Sequence, residues 1–244
     1  MFFDVHSHVV PSGDDGAPSV ADGLDLCRAA AERGTSVLYA TPHVWPELPL
    51  DEEREERVRG AHASMAEAAA QFALDLRLGF EVTPAPALLE DDPARYTLGG
   101  LPAVLMELPF HEPLALAEAV AEHIAAAGLV PVIAHPERAD AFIAAPEATA
   151  RRYLGRGWLL QVNGTSLLGY HGPDREATGW LLVDRGLASL VASDGHRTAR
   201  PPFLDDAYEA VRNQRGAEAA DALFDGRALD ALVRRDGVDL AQRR

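Results

Sequence analysis

Asp4-Val5-His6-Ser7-His8 ends a short apolar run that opens with Phe2-Phe3. In a β-strand, side chains two residues apart share a face. His6 and His8 therefore project together, which suits two imidazoles converging on one metal ion. By the same alternation Asp4 joins that face, where its carboxylate is placed to accept a ring N–H and fix the ligating nitrogen. A His-x-His pair carries little weight alone. Its meaning depends on whether other strands end in the same residue types.

They do. A helix is read over 19–33, with Ser19 as N-cap and Gly34 as its end. Ser36-Val37-Leu38-Tyr39-Ala40 is a β-type run that delivers Thr41-Pro42-His43. Leu76-Arg77-Leu78-Gly79-Phe80 ends at Glu81, and Ala103-Val104-Leu105-Met106 at Glu107. Val130-Pro131-Val132-Ile133-Ala134 ends at His135, and Trp158-Leu159-Leu160-Gln161-Val162 at Asn163. Leu187-Ala188-Ser189-Leu190-Val191-Ala192 leads into Ser193-Asp194-Gly195-His196. Helices are predicted over 51–72, 113–127, 146–154 and 175–185, with a helical remainder after Pro202. Apolar strands alternating with helices predict a parallel sheet covered on its outside. About seven such units favour a closed barrel over an open doubly wound sheet. No Gly-x-Gly-x-x-Gly or phosphate-loop pattern follows any strand.

With 244 residues and 48% hydrophobic content, the chain can bury a substantial core, and one domain over 1–244 is expected. A net charge of −16 repels a nucleic-acid backbone and argues against general nucleic-acid binding. It also disfavours an anionic substrate unless positive charge is concentrated locally. The single cysteine, Cys27, excludes an intramolecular disulfide and reads as a buried small hydrophobe in a reducing compartment. No apolar run approaches membrane-spanning length, and no signal-like segment precedes the first strand, so a cytoplasmic protein without membrane insertion is expected. The Glu/Arg-rich helix over 51–72 reads as a solvated face with His62 at the surface. His123 reads as structural or exposed, and His111 and His171 as loop histidines at the surface.

In a parallel barrel all the strand ends converge on one mouth, where active sites are built. His6, His8, His43, Glu81, Glu107, His135, Asp194 and His196 would meet there. Such residues are rarely buried unpaired, so agreement among six strand ends points to bound metal. Imidazole and carboxylate without thiolate suit manganese, iron or zinc.

Further blocks accompany these: Asp14-Asp15-Gly16-Ala17, Ala40-Thr41-Pro42-His43, Gly79-Phe80-Glu81-Val82 and Glu107-Leu108-Pro109-Phe110. Ile133-Ala134-His135-Pro136-Glu137-Arg138, Gln161-Val162-Asn163, Ala192-Ser193-Asp194-Gly195-His196 and Arg200-Pro201-Pro202 complete the set. In this order they resemble the polymerase-and-histidinol-phosphatase (PHP) superfamily. Within it they resemble the manganese-dependent bacterial tyrosine phosphatases of capsule and exopolysaccharide synthesis. The resemblance implies a distorted (β/α)7 barrel with three divalent metal ions, manganese foremost and iron or zinc as options. It implies that His6, His8, Glu81 and Asp194 hold one metal, and that Glu81 bridges to a second held by Glu107 and His135. Asp15, His43 and His196 would hold the third; Asp14 flanks the same turn, and Asp15 is preferred. Arg138 and Arg200 match the family's phosphate-contacting arginines.

The implied activity is hydrolysis of phosphotyrosine, in a protein or a small ester, by a metal-activated hydroxide. Histidinol-phosphate phosphatase and nucleotide or oligonucleotide phosphoesterase share the metals and stand as alternatives. A non-catalytic, metal-stabilised partner protein is the alternative from another class. Four ligand carboxylates against three divalent cations leave the site about two positive before the arginines are added. An acidic protein can thus hold a pocket for a phosphate dianion. One departure from the pattern is Val44-Trp45-Pro46-Glu47, which puts no cation after His43 and points to a different substrate preference.

Overall fold

The computed structural model describes residues 1–235. β1 (Phe2–Ser7) leads through a loop to α1 (Val20–Glu32), whose cap Ser19 accepts the Asp22 N–H at 3.2 Å. β2 (Thr35–Ala40), the two-residue β3 (His43–Val44) and α2 (Glu52–Ala69) follow. Next come β4 (Asp75–Leu78), β5 (Glu81–Val82) and β6 (Ala103–Glu107), then α3 (Ala115–Ala126) and β7 (Val130–Ala134). The short α4 (Asp140–Ile143) and α5 (Pro146–Gly155) precede β8 (Leu159–Asn163). The short α6 (Gly164–Leu167) and α7 (Pro173–Asp184) precede β9 (Leu190–Ala192). Then α8 (Asp205–Arg215), α9 (Ala217–Phe224) and α10 (Arg227–Arg235) follow. The expected helical remainder beyond 235 lies outside the described residues.

All named strand pairs are parallel, in two sheets ordered β1-β2-β4 and β3-β5-β6-β7-β8-β9. The boundary between the sheets falls just beyond one expected strand and inside another. The first stops at Thr41-Pro42, where proline has no N–H for the ladder. The other breaks at Gly79-Phe80, where a Cβ on Gly79 would stand 2.6 Å from Leu98 Cδ2. Backbone bonds still cross the breaks: Thr41 N–H donates to Ser7 O at 2.6 Å, and Glu81 N–H to Pro42 O at 3.2 Å. At the opposite margin Asp194 N–H donates to His6 O at 2.9 Å, and His8 N–H to Gly195 O at 2.6 Å. The C-terminal ends of β9 and β1 therefore lie side by side.

Alternate residues of one strand enter different apolar clusters. Ala103 and Leu105 of β6, and Val132 and Ala134 of β7, join Val5, Tyr39 and α10 residues Leu229 and Leu232. Val104, Met106 and Ile133 join the larger cluster, which includes Val120 and Ile124 of α3. Both faces of these strands are buried, which is why they read as unbroken apolar runs. Each fully buried side chain of this size contributes roughly 1.5–3 kcal/mol. The alternation also sets Glu107 on the face of Ala103 and Leu105, at the strand's end. Because the strands are parallel, their ligand-type ends collect on one side of the molecule.

Candidate metal centre

His6 and His8 bring their Nε2 atoms within 3.1 Å of each other. Glu81 Oε2 lies 3.1 Å from His6 Nε2 and 3.4 Å from His8 Nε2, and Asp194 Oδ1 lies 3.4 Å from both. The same Glu81 oxygen is 2.9 Å from His43 Nδ1, while Glu81 Oε1 is 3.0 Å from His135 Nε2. Glu107, at the end of β6, accepts the Thr83 hydroxyl on Oε1. His196 packs on His8 with ring centroids 3.9 Å apart, and His43 packs on the same His8 at 4.2 Å. Of the two aspartates in the first loop, Asp15 points at this pair. Its Oδ1 is 3.3 Å from His196 Nε2 and 3.6 Å from His43 Nε2. Asp14 is turned inward, accepting the His43 backbone N–H at 2.9 Å and standing 3.7 Å from His8 Nδ1.

These residues fit a group of divalent cations. Two donors about 2.1 Å from one ion, at right or tetrahedral angles, stand about 3.0–3.4 Å apart. That is the spacing around Glu81 and Asp194. Donor atoms near enough to share an ion come from His6, His8 and Glu81; from His6, His135 and Asp194; from Glu81, Glu107 and His135; and from His8, His43 and His196. Among the described residues, buried Glu81 Oε2, His8 Nδ1, His43 Nδ1 and His135 Nδ1 have no partner in hydrogen-bonding geometry, the close Glu81–His43 approach included, although buried polar atoms are usually satisfied. Burial and the Glu81 charge push the Glu107 carboxyl up to about 8. Burial holds the His135 imidazole down at about 4. Burial alone would also raise Glu81, but the imidazoles of His6 and His43 hold it well below the usual carboxylate range. Acids and bases this close satisfy one another only in part, and positive charge among them would satisfy them all. His135 and Asp194 also adopt left-handed backbone, with φ of 32° and 53°. Such strain is uncommon outside glycine and is typical of functional sites.

The supporting shell departs from the sequence reading. β1 has irregular register between Asp4 and Ser7, so strict alternation fails there. Asp4 does not reach the His6 ring; its Oδ1 accepts the backbone N–H groups of His6 (3.3 Å) and Ser193 (3.1 Å). Gln161 takes the expected role, with Oε1 2.9 Å from His6 Nδ1. Gln161 Nε2 donates to Asn163 Oδ1, and Asn163 Nδ2 to Asp194 Oδ2, each at 2.9 Å. Two amides thus link one candidate ligand to another. Arg54 is 2% exposed, not part of a solvated face, and donates to the carbonyls of Ser12 (3.0 Å), His43 (2.7 Å) and Leu48 (2.7 Å). It ties the loop that carries Asp15 to β3, which carries His43. Helical spacing with buried Val58, Met65 and Ala69 was the available signal for it.

Among the remaining histidines, His62 is half-buried and hydrogen-bonds the Leu76 carbonyl at 3.0 Å, so it is not an ordinary surface residue. His123 bonds the Asp91 carbonyl, and His111 is exposed and pairs with Asp140. His171 is half-buried against Thr165 Oγ1, and burial with the charges of Arg138 and Arg200 lowers its pKa to about 4.

A cavity of about 190 Å³ opens on the cluster, lined by Asp15, His43, Glu107, His135, Asp194 and His196 together with Trp45, Phe110, Arg138 and Arg200. Arg138 Nη1 donates to Asp194 Oδ2 at 2.9 Å, and its guanidinium lies 4.7 Å from the Phe110 ring centroid. Arg200 Nη2 reaches His196 Nδ1 and stands 3.9 Å from Asp194 Oδ1.

A parallel α/β fold that gathers imidazole, carboxylate and guanidinium around a cavity at its strand ends defines a class, the metal-dependent hydrolases. The family follows from comparison with known proteins. A family model for capsular polysaccharide synthesis, CpsB/CapC, matches residues 2–232, and the chain belongs to this family. Tyrosine-protein phosphatase YwqE of Bacillus subtilis (strain 168) is 30% identical over 229 residues, covering 88% of this chain and 85% of YwqE. Tyrosine-protein phosphatase CpsB of Streptococcus pneumoniae is 28% identical over 231 residues, covering 91% and 94%. A solved structure from work on YwqE and CpsB, metal-dependent tyrosine phosphatases from these two organisms, superposes with a TM-score of 0.83 at 27% identity. It covers 97% of this chain and 96% of that one.

Proposed function

We propose that the chain is a metal-dependent tyrosine phosphatase, hydrolysing phosphotyrosine in proteins or small phosphate esters. The observation that carries this reading is the wall of the cavity, where two arginines face a surface otherwise rich in carboxylate and imidazole. Carboxylates alone would repel a phosphate dianion, and guanidinium groups supply planar, bidentate donors for one. The names borne by YwqE and CpsB support the same activity.

The donor set of nitrogen and oxygen, with no thiolate, fits three divalent ions, manganese foremost with iron or zinc as options. In our assignment His6, His8, Glu81 and Asp194 would hold one ion, and Glu81, Glu107 and His135 a second. Asp15, His43 and His196 would hold the third. When bound, such ions lower the pKa of water and polarise phosphoryl oxygens. The chain's own residues do the rest. Arg138 and Arg200 hold the non-bridging phosphate oxygens, and their contacts strengthen as charge redistributes in the transition state. Asp194 and the Phe110 ring aim the Arg138 guanidinium. A tyrosine phenolate, with a pKa of about 10, leaves with less protonation than an alkoxide needs.

The reading extends to the architecture: a distorted (β/α)7 barrel, residues 1–244 as one domain, with the β9–β1 hydrogen bonds as its seam. It also places the protein in the cytoplasm, in control of capsule or exopolysaccharide synthesis. The family description supports the role, and no helix among the described residues is long and apolar enough to cross a membrane.

The test is a substrate panel assayed with manganese: phosphotyrosine peptide, histidinol phosphate, nucleotides and an oligonucleotide. Preferred turnover of the peptide is expected; preference for another ester reassigns the substrate, and no turnover leaves a metal-stabilised binding protein. Arg200→Ala should lower kcat/KM about ten- to a thousandfold, by analogy with loss of one oxyanion donor. Arg138→Ala should lose as much and also some bound metal, because Asp194 Oδ2 then keeps only the Asn163 amide. Lys at either position should restore little of the loss. Near wild-type kcat/KM in both Ala variants would limit the arginines to supporting Asp194 and His196 and overturn their phosphate role.

A further inference from the structure

The phosphatase reading leaves a groove beside the metal cavity unused. It measures about 530 Å³ and shares Trp45, Glu107 and Phe110 with the 190 Å³ cavity, so the two adjoin. A volume of this size holds drug-sized ligands, in the range of about 300–1,000 Å³, and exceeds what a phosphate needs. Part of its wall is the stretch Trp45-Pro46-Glu47, where the sequence lacks a cation after His43. The Trp45 ring is fixed from the metal side by stacking on His43, with centroids 4.4 Å apart at 27°. Leu116, 36% exposed, adds an open apolar surface. Two exposed carboxylates, Glu47 and Glu112, stand on the lining, and neither has an ion-pair partner among the described residues. His111, on the same lining, is engaged by Asp140 at 2.9 Å.

Resting on the phosphatase reading of the adjoining cavity, we infer that this groove receives the residues flanking phosphotyrosine in a peptide substrate and selects basic flanks. An Arg or Lys beside the phosphotyrosine lies along the aromatic wall and pairs with Glu47 or Glu112. Aromatic and carboxylate groups on one surface favour a cation. Acidic flanks meet those carboxylates and the field of a chain with net charge −16. Exposed pairs are individually weak and salt-screened. The preference is therefore modest, about three- to thirtyfold between basic and acidic flanks, expressed mainly in KM.

The experiment compares three phosphotyrosine peptides, identical except for Arg, Gln or Glu on both sides of the phosphotyrosine, with manganese present. Each kcat/KM is divided by that of free phosphotyrosine on the same enzyme. The expected order is Arg, then Gln, then Glu, with the spread shrinking as salt rises. Glu47→Arg/Glu112→Arg should abolish or invert it. Equal ratios for all three peptides, or an order unmoved by the double variant, overturns the inference while leaving the phosphatase reading intact. Failure to hydrolyse even free phosphotyrosine overturns both. A dimer in sedimentation that dissociates in Glu112→Arg would give the groove to a second copy of the chain, and this too overturns the inference.

Discussion

Gln161 touches no candidate cation site directly, yet it decides which nitrogen His6 can offer. Its Oε1 accepts from His6 Nδ1, which leaves Nε2 facing Glu81, Asp194 and His8. Its own amide then passes through Asn163 to Asp194. Partners of this kind typically carry 10–100-fold in metal affinity. Gln161→Leu should therefore weaken manganese binding by about that factor, measured by metal titration of chelator-stripped protein. Gln161→Glu keeps an acceptor for Nδ1–H and should retain more of the affinity. Equal affinity in wild type and Gln161→Leu would make the amide chain a packing feature only. The sequence reading assigned this support to Asp4, because it assumed unbroken alternation along β1. The register irregularity between Asp4 and Ser7 is a backbone event with no side-chain signature. The candidate ligands themselves were legible, since metal-type residues at successive strand ends have few structural uses.

At the scale of elements, glycine separates packing from propensity. A helix-interior glycine normally costs about 0.5–1 kcal/mol relative to alanine. Gly60, in α2, is exposed, and a Cβ there meets nothing within 4 Å. Gly60→Ala should stabilise the protein by about that amount. Gly23, in α1, is buried, and its Cβ would stand 2.1 Å from the Val9 carbonyl oxygen and 2.6 Å from Met65 Cε. Gly23→Ala must push α1 away from the loop that follows β1 and should destabilise by about 1–3 kcal/mol, as overpacking does. Thermal unfolding of the two variants side by side checks the contrast, and a rise in Tm for both would show that α1 can shift freely. Strands and long helices were readable because periodicity needs length to show. The one-turn α4 and α6 are too short for it, and the two-residue β3 and β5 appear only because Pro42 and the Gly79-Phe80 step interrupt longer runs. Arg54 was misjudged for a different reason: its neighbours Glu53, Glu55 and Glu56 dominate the local composition, while the buried stripe is set by spacing.

For the whole molecule, metal and stability are one equilibrium. The proposed ligands include the buried carboxylates Glu81, Glu107 and Asp194, in a chain already at net charge −16. Cations that bind only the folded state stabilise it by RT ln(1 + [L]/Kd), about 1.4 kcal/mol per tenfold in free metal at each saturating site. A strong chelator should thus abolish turnover and lower Tm together, and manganese should restore both. Elemental analysis of the reloaded protein should approach three ions per chain under our assignment. Cys27 provides the control. It is fully buried in α1, and burial pushes its thiol up to about 12, so it is no thiolate at neutral pH. Cys27→Ala should keep most of the activity and the full metal content while losing roughly 1 kcal/mol of packing. Two outcomes would overturn the metal-based reading. One is a stripped protein with unchanged Tm and full turnover. The other is a folded, metal-replete Cys27→Ala variant with no activity.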